Sequence, residues 1–238
     1  MKFDAIIFDK DGTLLDFNAF WVPVTEQALR QTVKALGAAD ASILKLMEVL
    51  GVHAGITDID GVLCYGTYAQ IGQALHQGLA EQGFSFDCCL VQKLVTEAYV
   101  QAVPAGRIAP TCHDLPQVLN ALKEKGIKLF VVTTDNAPVT EECLDKLGIA
   151  QYFTAVYTDD GVNPPKPDPY CANDISARYG IPRERILMVG DTKNDAIFAK
   201  NAGILAVGVA VNDSNAQRLR AYMAAVVTDV SHIGGLVD

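Results

Sequence analysis

The sequence lacks any run of ~18 consecutive apolar residues, the length a helix needs to cross a bilayer, so no membrane span is expected. A secretory leader is not legible either. Such a segment needs a basic start, an unbroken apolar stretch and a small-residue cleavage site, whereas MKFDAIIFDKDG carries Asp4, Asp9 and Asp11 within its first apolar stretch. The expected compartment is the cytoplasm. Cysteine is present but unpatterned. Cys64, Cys88, Cys89, Cys112, Cys143 and Cys171 form no C-x-x-C pair, which excludes a zinc or thioredoxin-like site of that kind and reads as reduced thiols serving as small hydrophobes. Positive charge is in deficit, with 19 Lys and Arg against 28 Asp and Glu and a formal net charge of −9. Such a chain repels a phosphodiester backbone at long range, which argues against nucleic acid as a partner, although one cleft can still be cationic. No internal repeat is present. Asp58-Ile59-Asp60-Gly61-Val62-Leu63 echoes Asp9-Lys10-Asp11-Gly12-Thr13-Leu14 with no similarity around it.

What the sequence does have is apolar mass. Half of its 238 residues are hydrophobic and 20% are charged, enough to bury a large core. At roughly 150 residues per domain the length fits one large domain or one domain with an insertion. Phe3–Phe8 reads as a strand, short and β-branched at Ile6 and Ile7, running into the turn at Gly12. A helical pattern then occupies about 22–103. Its first helix runs from Val22, with Pro23 in the tolerated first turn, to Gly37. Further helices read at Ser42–Leu50, Tyr68–Gln82 and Asp87–Val103, with a loop at 51–66 and no strand. From His113 the rhythm alternates. Strands at Lys128–Thr133, Ala155–Thr158, Ile186–Val189, Ile204–Val211 and near Val226 are separated by helices at His113–Lys125, Val139–Leu147, Tyr170–Tyr179, Asn194–Asn201 and Ser214–Met223. Alternation of this kind implies right-handed βαβ units. The predicted fold is α/β, a doubly wound parallel sheet formed by residues 1–16 and 110–238, with an all-α insertion at 17–109.

In open sheets of this class, ligands bind beyond the carboxyl ends of the strands. Asp9 and Asp11 follow the first strand, Thr133-Thr134-Asp135 the second, and Gly190-Asp191 the fourth. In extended chain Asp9 and Asp11 share one face and Lys10 takes the other. Close carboxylates repel and ionise together only beside a cation, and an all-carboxylate set suits a hard ion such as Mg²⁺, itself matched to phosphate oxygens. Asp195 stands in the first turn of the next helix, where it can cap the helix and support the metal shell. Lys166 lies in Asn163-Pro164-Pro165-Lys166-Pro167-Asp168-Pro169, a stiff segment close to a helix start, and would supply positive charge to an anion.

Together these segments resemble the haloacid dehalogenase superfamily in its phosphatase branch, closest in pattern to phosphoglycolate phosphatases. The motifs are Asp9-Lys10-Asp11-Gly12-Thr13, Val131-Val132-Thr133, Lys166-Pro167-Asp168-Pro169 and Gly190-Asp191-Thr192-Lys193-Asn194-Asp195, in family order. The resemblance implies that Asp9 is the nucleophile, forming an aspartyl-phosphate, and that Asp11 is the general acid and then the base. It implies Mg²⁺ held by Asp9, the Asp11 backbone carbonyl and Asp191 with Asp195 in support. Thr133, Lys166 and the N–H of Thr134 would hold the phosphoryl group. A second carboxylate at position 11 separates the chain from the dehalogenase pattern DxYGT and the transport-ATPase pattern DKTGT, although Lys10 matches the latter.

The insertion falls where the family carries its all-α lid. Its loop residues Thr57, Asp58 and Asp60 read as a solvated loop or as contacts to the leaving group. Lys34, Lys45 and Lys93 read as surface helix positions rather than Schiff-base lysines, and Phe17, Phe20 and Trp21 as packing at the hinge. The implied partner is a small phosphorylated metabolite, with no nucleic acid and no membrane, and the chain as monomer or homodimer. Alternatives are a phosphomutase like β-phosphoglucomutase, and a non-catalytic metabolite-binding module on the same core.

Overall fold

The structure, a computed structural model, describes residues 3–237. The chain forms two compact units, Met1–Asp16 with Ile108–Asp238 and Phe17–Arg107. In chain order β1 (Ala5–Phe8) precedes α1 (Phe17–Ala35), α2 (Ile43–Val49), β2 (Val52–His53), β3 (Ile56–Thr57), α3 (Val62–Tyr65), α4 (Tyr68–Glu81) and α5 (Cys88–Ala102). Then come α6 (Leu115–Glu124), β4 (Lys128–Asn136), α7 (Ala137–Lys146), β5 (Ala155–Asp159), α8 (Tyr170–Tyr179) and β6 (Ile186–Gly190). The chain closes with α9 (Lys193–Ala202), β7 (Leu205–Val209), α10 (Asp213–Leu219) and β8 (Ala225–Val227).

In the first unit the strands form one sheet in the order β5-β4-β1-β6-β7-β8, every neighbouring pair parallel. The predicted doubly wound parallel sheet is therefore what this chain forms. It winds outward from β1 through β4 and β5, then crosses to β6 and winds out the other way. The switch between these directions opens a crevice at the carboxyl edge beside β1. Phe8 pairs with Val131 on one side and Val189 on the other, so Asp9 and Asp191, just past their strands, and Thr133, within β4, lie along one edge. All four β1 residues are fully buried. Ile6 and Phe8 pack with Leu129, Val131, Leu187 and Val189 of the neighbouring strands and with Leu115, Leu119 and Leu122 of α6. Each such side chain contributes about 1.5–3 kcal/mol when removed from water.

The two chain segments that leave and re-enter this unit run side by side. Asp16 N–H donates to the Ala109 carbonyl at 2.9 Å and Thr111 N–H to the Leu14 carbonyl at 3.1 Å. Thr111 Oγ1 also donates to the Thr13 carbonyl at 2.6 Å.

In the second unit α1, α4 and α5 enclose a separate core that includes Val24, Leu29, Leu46, Ile71, Leu75, Val91 and Val95. Its helices start on polar caps. Thr67 accepts from Gln70 N–H and Asp87 from Leu90 N–H. Buried Tyr99 donates its hydroxyl to Thr25 Oγ1 at 3.0 Å.

Two expectations for this unit need correction. The first helix begins at Phe17, not Val22, so Pro23 lies inside it. Proline offers no N–H to the carbonyl four residues back, and that carbonyl, on Ala19, accepts instead from Arg107 N–H at 3.3 Å. The helix survives because an outside donor replaces the missing one. Secondly, the segment 51–66 is not a strandless loop. β2 and β3 form a small antiparallel hairpin, and α3 adds one helical turn. There Asn18 Oδ1 accepts from both the N–H and the hydroxyl of Thr57, each at 2.9 Å, and Asp58 Oδ1 accepts from Asp60 N–H. Lys34, Lys45 and Lys93 are exposed on their helices. Among the described residues no helix is long and apolar enough to cross a membrane.

Candidate active site

The β1 ladder ends with Asp9 N–H donating to the Val189 carbonyl at 2.9 Å. Beyond it Asp9 is buried, and its Oδ1 accepts from Lys166 Nζ at 2.7 Å. The same ammonium donates to Asp195 Oδ1, also at 2.7 Å. Lys166 arrives on the proline-rich segment before α8, and its peptide bond to Pro167 is cis. Side-chain amides of α9 hold that segment: Asn194 donates to the Lys166 carbonyl at 3.5 Å and Asn201 to the Pro167 carbonyl at 2.9 Å. Asp195, in the first turn of α9, uses its second oxygen as well. Oδ2 accepts from Thr192 N–H at 3.1 Å and Thr192 Oγ1 at 2.7 Å, so capping the helix and fixing the carboxylate are one event. Asp191 follows β6 and accepts from Thr13 Oγ1 at 3.2 Å.

Each of Asp9, Asp191 and Asp195 has a carboxylate oxygen within 4.8 Å of the others'. Two glycines make this approach feasible. Gly12 has φ +79°, and a Cβ there would lie 2.0 Å from Asp191 Oδ2. A Cβ on Gly190 would lie 2.4 Å from the Asp195 carboxyl carbon. The glycines leave room for carboxylates where other residues would place a methyl group.

The charges are not balanced. Three carboxylates face one ammonium, an excess equal to the charge of one divalent cation. The Asp9 carboxyl stands at about 7: burial raises it most, Lys166 lowers it, and Asp195 and Asp11 add to the rise. Asp191 is raised well above the usual carboxylate range by burial, then by Asp9 and Asp195. Burial acts to lower the Lys166 ammonium, but Asp195 and Asp9 outweigh it and hold the lysine above its ordinary value. All-oxygen donors and carboxylates drawn close together beside glycine fit a hard divalent ion of the Mg²⁺ kind.

Asp9 and Asp11 pair with different lysines: Asp9 with Lys166, while Asp11 accepts from Lys10 Nζ at 2.8 Å on Oδ1 and pairs with it at 2.7 Å on Oδ2. The alternation that would put both acids on one face ends with the strand at Phe8. Leu14 and Leu15 N–H groups both donate to the Lys10 carbonyl, and Gly12 N–H donates to the Leu15 carbonyl, so the backbone is already turning. Lys10 is fully buried and also pairs with Asp135 Oδ2 at 3.1 Å.

Thr133 is buried and borders, with Lys166, Tyr157 and Asn163, a cavity of about 140 Å³. Its hydroxyl accepts from Asp135 N–H at 3.2 Å, while Thr134 is exposed. Reading residues in sequence missed Lys10 and Asp135 as partners, the hydroxyls of Thr13 and Thr192, and Gly190 as a spacer. The signal available for the first pair was an acid at the end of β4 beside a lysine flanked by two acids.

The sequence profile of the haloacid dehalogenase-like hydrolases matches residues 3–203. The phosphoglycolate phosphatase of Neisseria gonorrhoeae (strain ATCC 700825 / FA 1090) is 41% identical over 213 residues, covering 86% of this chain and 79% of that one. That of Vibrio vulnificus (strain YJ016) is 30% identical over 226 residues, covering 94% and 91%. Among solved structures, one described as a predicted phosphoglycolate phosphatase of Haemophilus somnus 129PT superposes with TM-score 0.72 at 23% identity, covering 100% of this chain and 99% of that one. A HAD-hydrolase of Bacillus subtilis bound to magnesium gives 0.69 at 16% identity, with each chain covered completely. At these identities the two structures establish the shared fold.

Proposed function

The chain belongs to the haloacid dehalogenase-like hydrolase family, and from that premise we propose that it is a Mg²⁺-dependent phosphatase of a small phosphomonoester of the phosphoglycolate type, working through an aspartyl-phosphate. One observation carries the reading: among the described residues Asp9, Asp191 and Asp195 converge beside Lys166 at the carboxyl edge of the sheet, three acids to one ammonium. In this reading Asp9, Asp191 and the Asp11 backbone carbonyl would hold Mg²⁺, with Asp195 in support, and the bound ion would offset repulsion between the phosphate dianion and the carboxylates.

The chain's own residues then divide the work. An Asp9 carboxylate oxygen forms the new bond to phosphorus as the bond to the leaving oxygen breaks. Asp11 gives that oxygen its proton, takes one from the attacking water in the second step, and Asp9 is regenerated as phosphate leaves. Lys166 and the Thr133 hydroxyl hold the phosphoryl oxygens where charge spreads in the transition state, with the Thr134 N–H as a further donor. Substrate selection is assigned to the helical unit inserted between the first and second motifs, which carries no motif of its own. The test is phosphate release from 2-phosphoglycolate and a panel of phosphomonoesters with Mg²⁺, repeated with Asp9→Asn. Turnover that needs Mg²⁺ and disappears in the variant supports the reading. Unchanged turnover in Asp9→Asn overturns it, and a sugar phosphate isomer in place of free phosphate moves the chain to phosphoryl transfer.

A further inference from the structure

The two acids of the first motif sit on different lysines. Lys166 bridges Asp9 and Asp195, and Lys10 bridges Asp11 and Asp135. Lys10 is fully buried, a costly place for an ammonium unless its charge is matched. It contacts both oxygens of Asp11, so it restricts rotation of that carboxylate as well as its position. Asp135 holds the ammonium from the end of β4, and its own Oδ1 accepts from Asn136 N–H at 2.8 Å and from the Asn136 amide at 3.3 Å. The chain Asn136–Asp135–Lys10–Asp11 thus runs from the end of β4, just past the second motif, to the acid of the first.

We propose that Lys10, anchored by Asp135, is the positioning residue for Asp11: it sets where the proton-transferring carboxylate lies, and touches neither substrate nor phosphoryl group. This rests on the reading of Asp11 as the acid and base of a phosphatase. A merely structural lysine would stabilise the fold and affect all substrates alike. A lysine acting through Asp11 matters most where proton delivery matters most, with alkoxide leaving groups. It matters little for p-nitrophenolate, which leaves without a proton.

The experiment measures kcat/KM with Mg²⁺ for 2-phosphoglycolate and p-nitrophenyl phosphate in the wild type, Lys10→Met, Asp11→Asn and the Lys10→Met/Asp11→Asn double variant. General acid catalysis is worth about 10²–10⁴-fold, so Lys10→Met is expected to lose on the order of 10–100-fold on the alkyl phosphate and under about threefold on p-nitrophenyl phosphate. In the Asp11→Asn background, replacing Lys10 is expected to cost nothing further on either substrate, because residues acting as a unit are not additive. Equal losses on both substrates, or the same loss with and without Asp11, overturn the proposal. Asp135→Asn, which keeps Lys10 and the local shape, provides the second variant. It should show the same substrate-dependent loss in smaller measure, and losses equal on both substrates count against the anchor. Asp9→Asn runs alongside: activity surviving there refutes the phosphatase reading itself, whatever Lys10 does.

Discussion

Replacing Asp9 by Asn should make the metal-free protein more stable while it destroys turnover. Asp9 shares its pocket with Asp191 and Asp195 against the single ammonium of Lys166. Its carboxyl stands at about 7 against an ordinary 3.8, raised mainly by burial. Between those values the folded chain holds a proton that the unfolded chain has lost. Stability attributable to Asp9 therefore falls as pH rises from about 4 to about 7, the reverse of a salt-bridged carboxylate. A difference of about 3 units at 1.36 kcal/mol each sets a ceiling of about 4 kcal/mol. Local relaxation, and the loss of one charged partner by Lys166, bring the expected gain to about 1–2 kcal/mol. For a chain of this size that is an increase in Tm of about 2–8 °C. Thermal melts in EDTA at pH 8 should show this gain, and at pH 4 it should be nearly gone. Saturating Mg²⁺ should reverse the order, since a ligand at 100 times its Kd adds about 2.7 kcal/mol to the wild type alone. An Asp9→Asn variant less stable than wild type in EDTA at pH 8 would refute the charge-imbalance account.

Other perturbations follow from the same geometry. Gly12→Ala places a methyl group 2.0 Å from Asp191 Oδ2 at φ +79°, so it should cost about 1–3 kcal/mol and weaken Mg²⁺ binding in isothermal titration. Tyr99→Phe removes the buried hydroxyl that donates to Thr25 and should lower stability by about 1–2 kcal/mol in urea melts, with activity retained. Pro23→Ala should yield much less than the ~3 kcal/mol typical of removing a mid-helix proline, because the Ala19 carbonyl already has a donor in Arg107. A gain of the full amount would show that this hydrogen bond contributes nothing.

The alternation of short apolar strands with amphipathic helices made the sheet legible, and α8 runs from Tyr170 to Tyr179 as its pattern predicts. Where reading failed, the signal was too short or the prior was wrong. β2 and β3 have two residues each, below the length at which a period of two can be recognised. Pro23 marked a helix start by rule, and nothing local reveals that Arg107, distant in sequence, supplies the missing donor. At the site, the aspartates, threonines and lysine singled out in the sequence lie at or near one sheet edge, but the pairing of Asp11 with Lys10 was not legible. Alternation applies to a strand, and the ladder had ended before that residue. Lys10 stands out in the sequence only as a match to another branch's motif, since lysine is ordinarily a surface residue and nothing local marks it as buried. Only the fold brings Asp135 to it from a strand distant in sequence.

The paired segments at 13–16 and 109–111 give the molecule an anatomy suited to substitution by evolution. They are fastened to each other within the sheet-bearing unit, so the ends of whatever lies between them start and finish at the same place. Closing a chain between two adjacent points costs entropy that grows only with the logarithm of its length. That junction can therefore tolerate inserts of different size and sequence with little effect on strand register or on the carboxylates next to it. The segment between the junction's two strands of chain is thus free to change in length and sequence while the sheet and its edge keep their geometry.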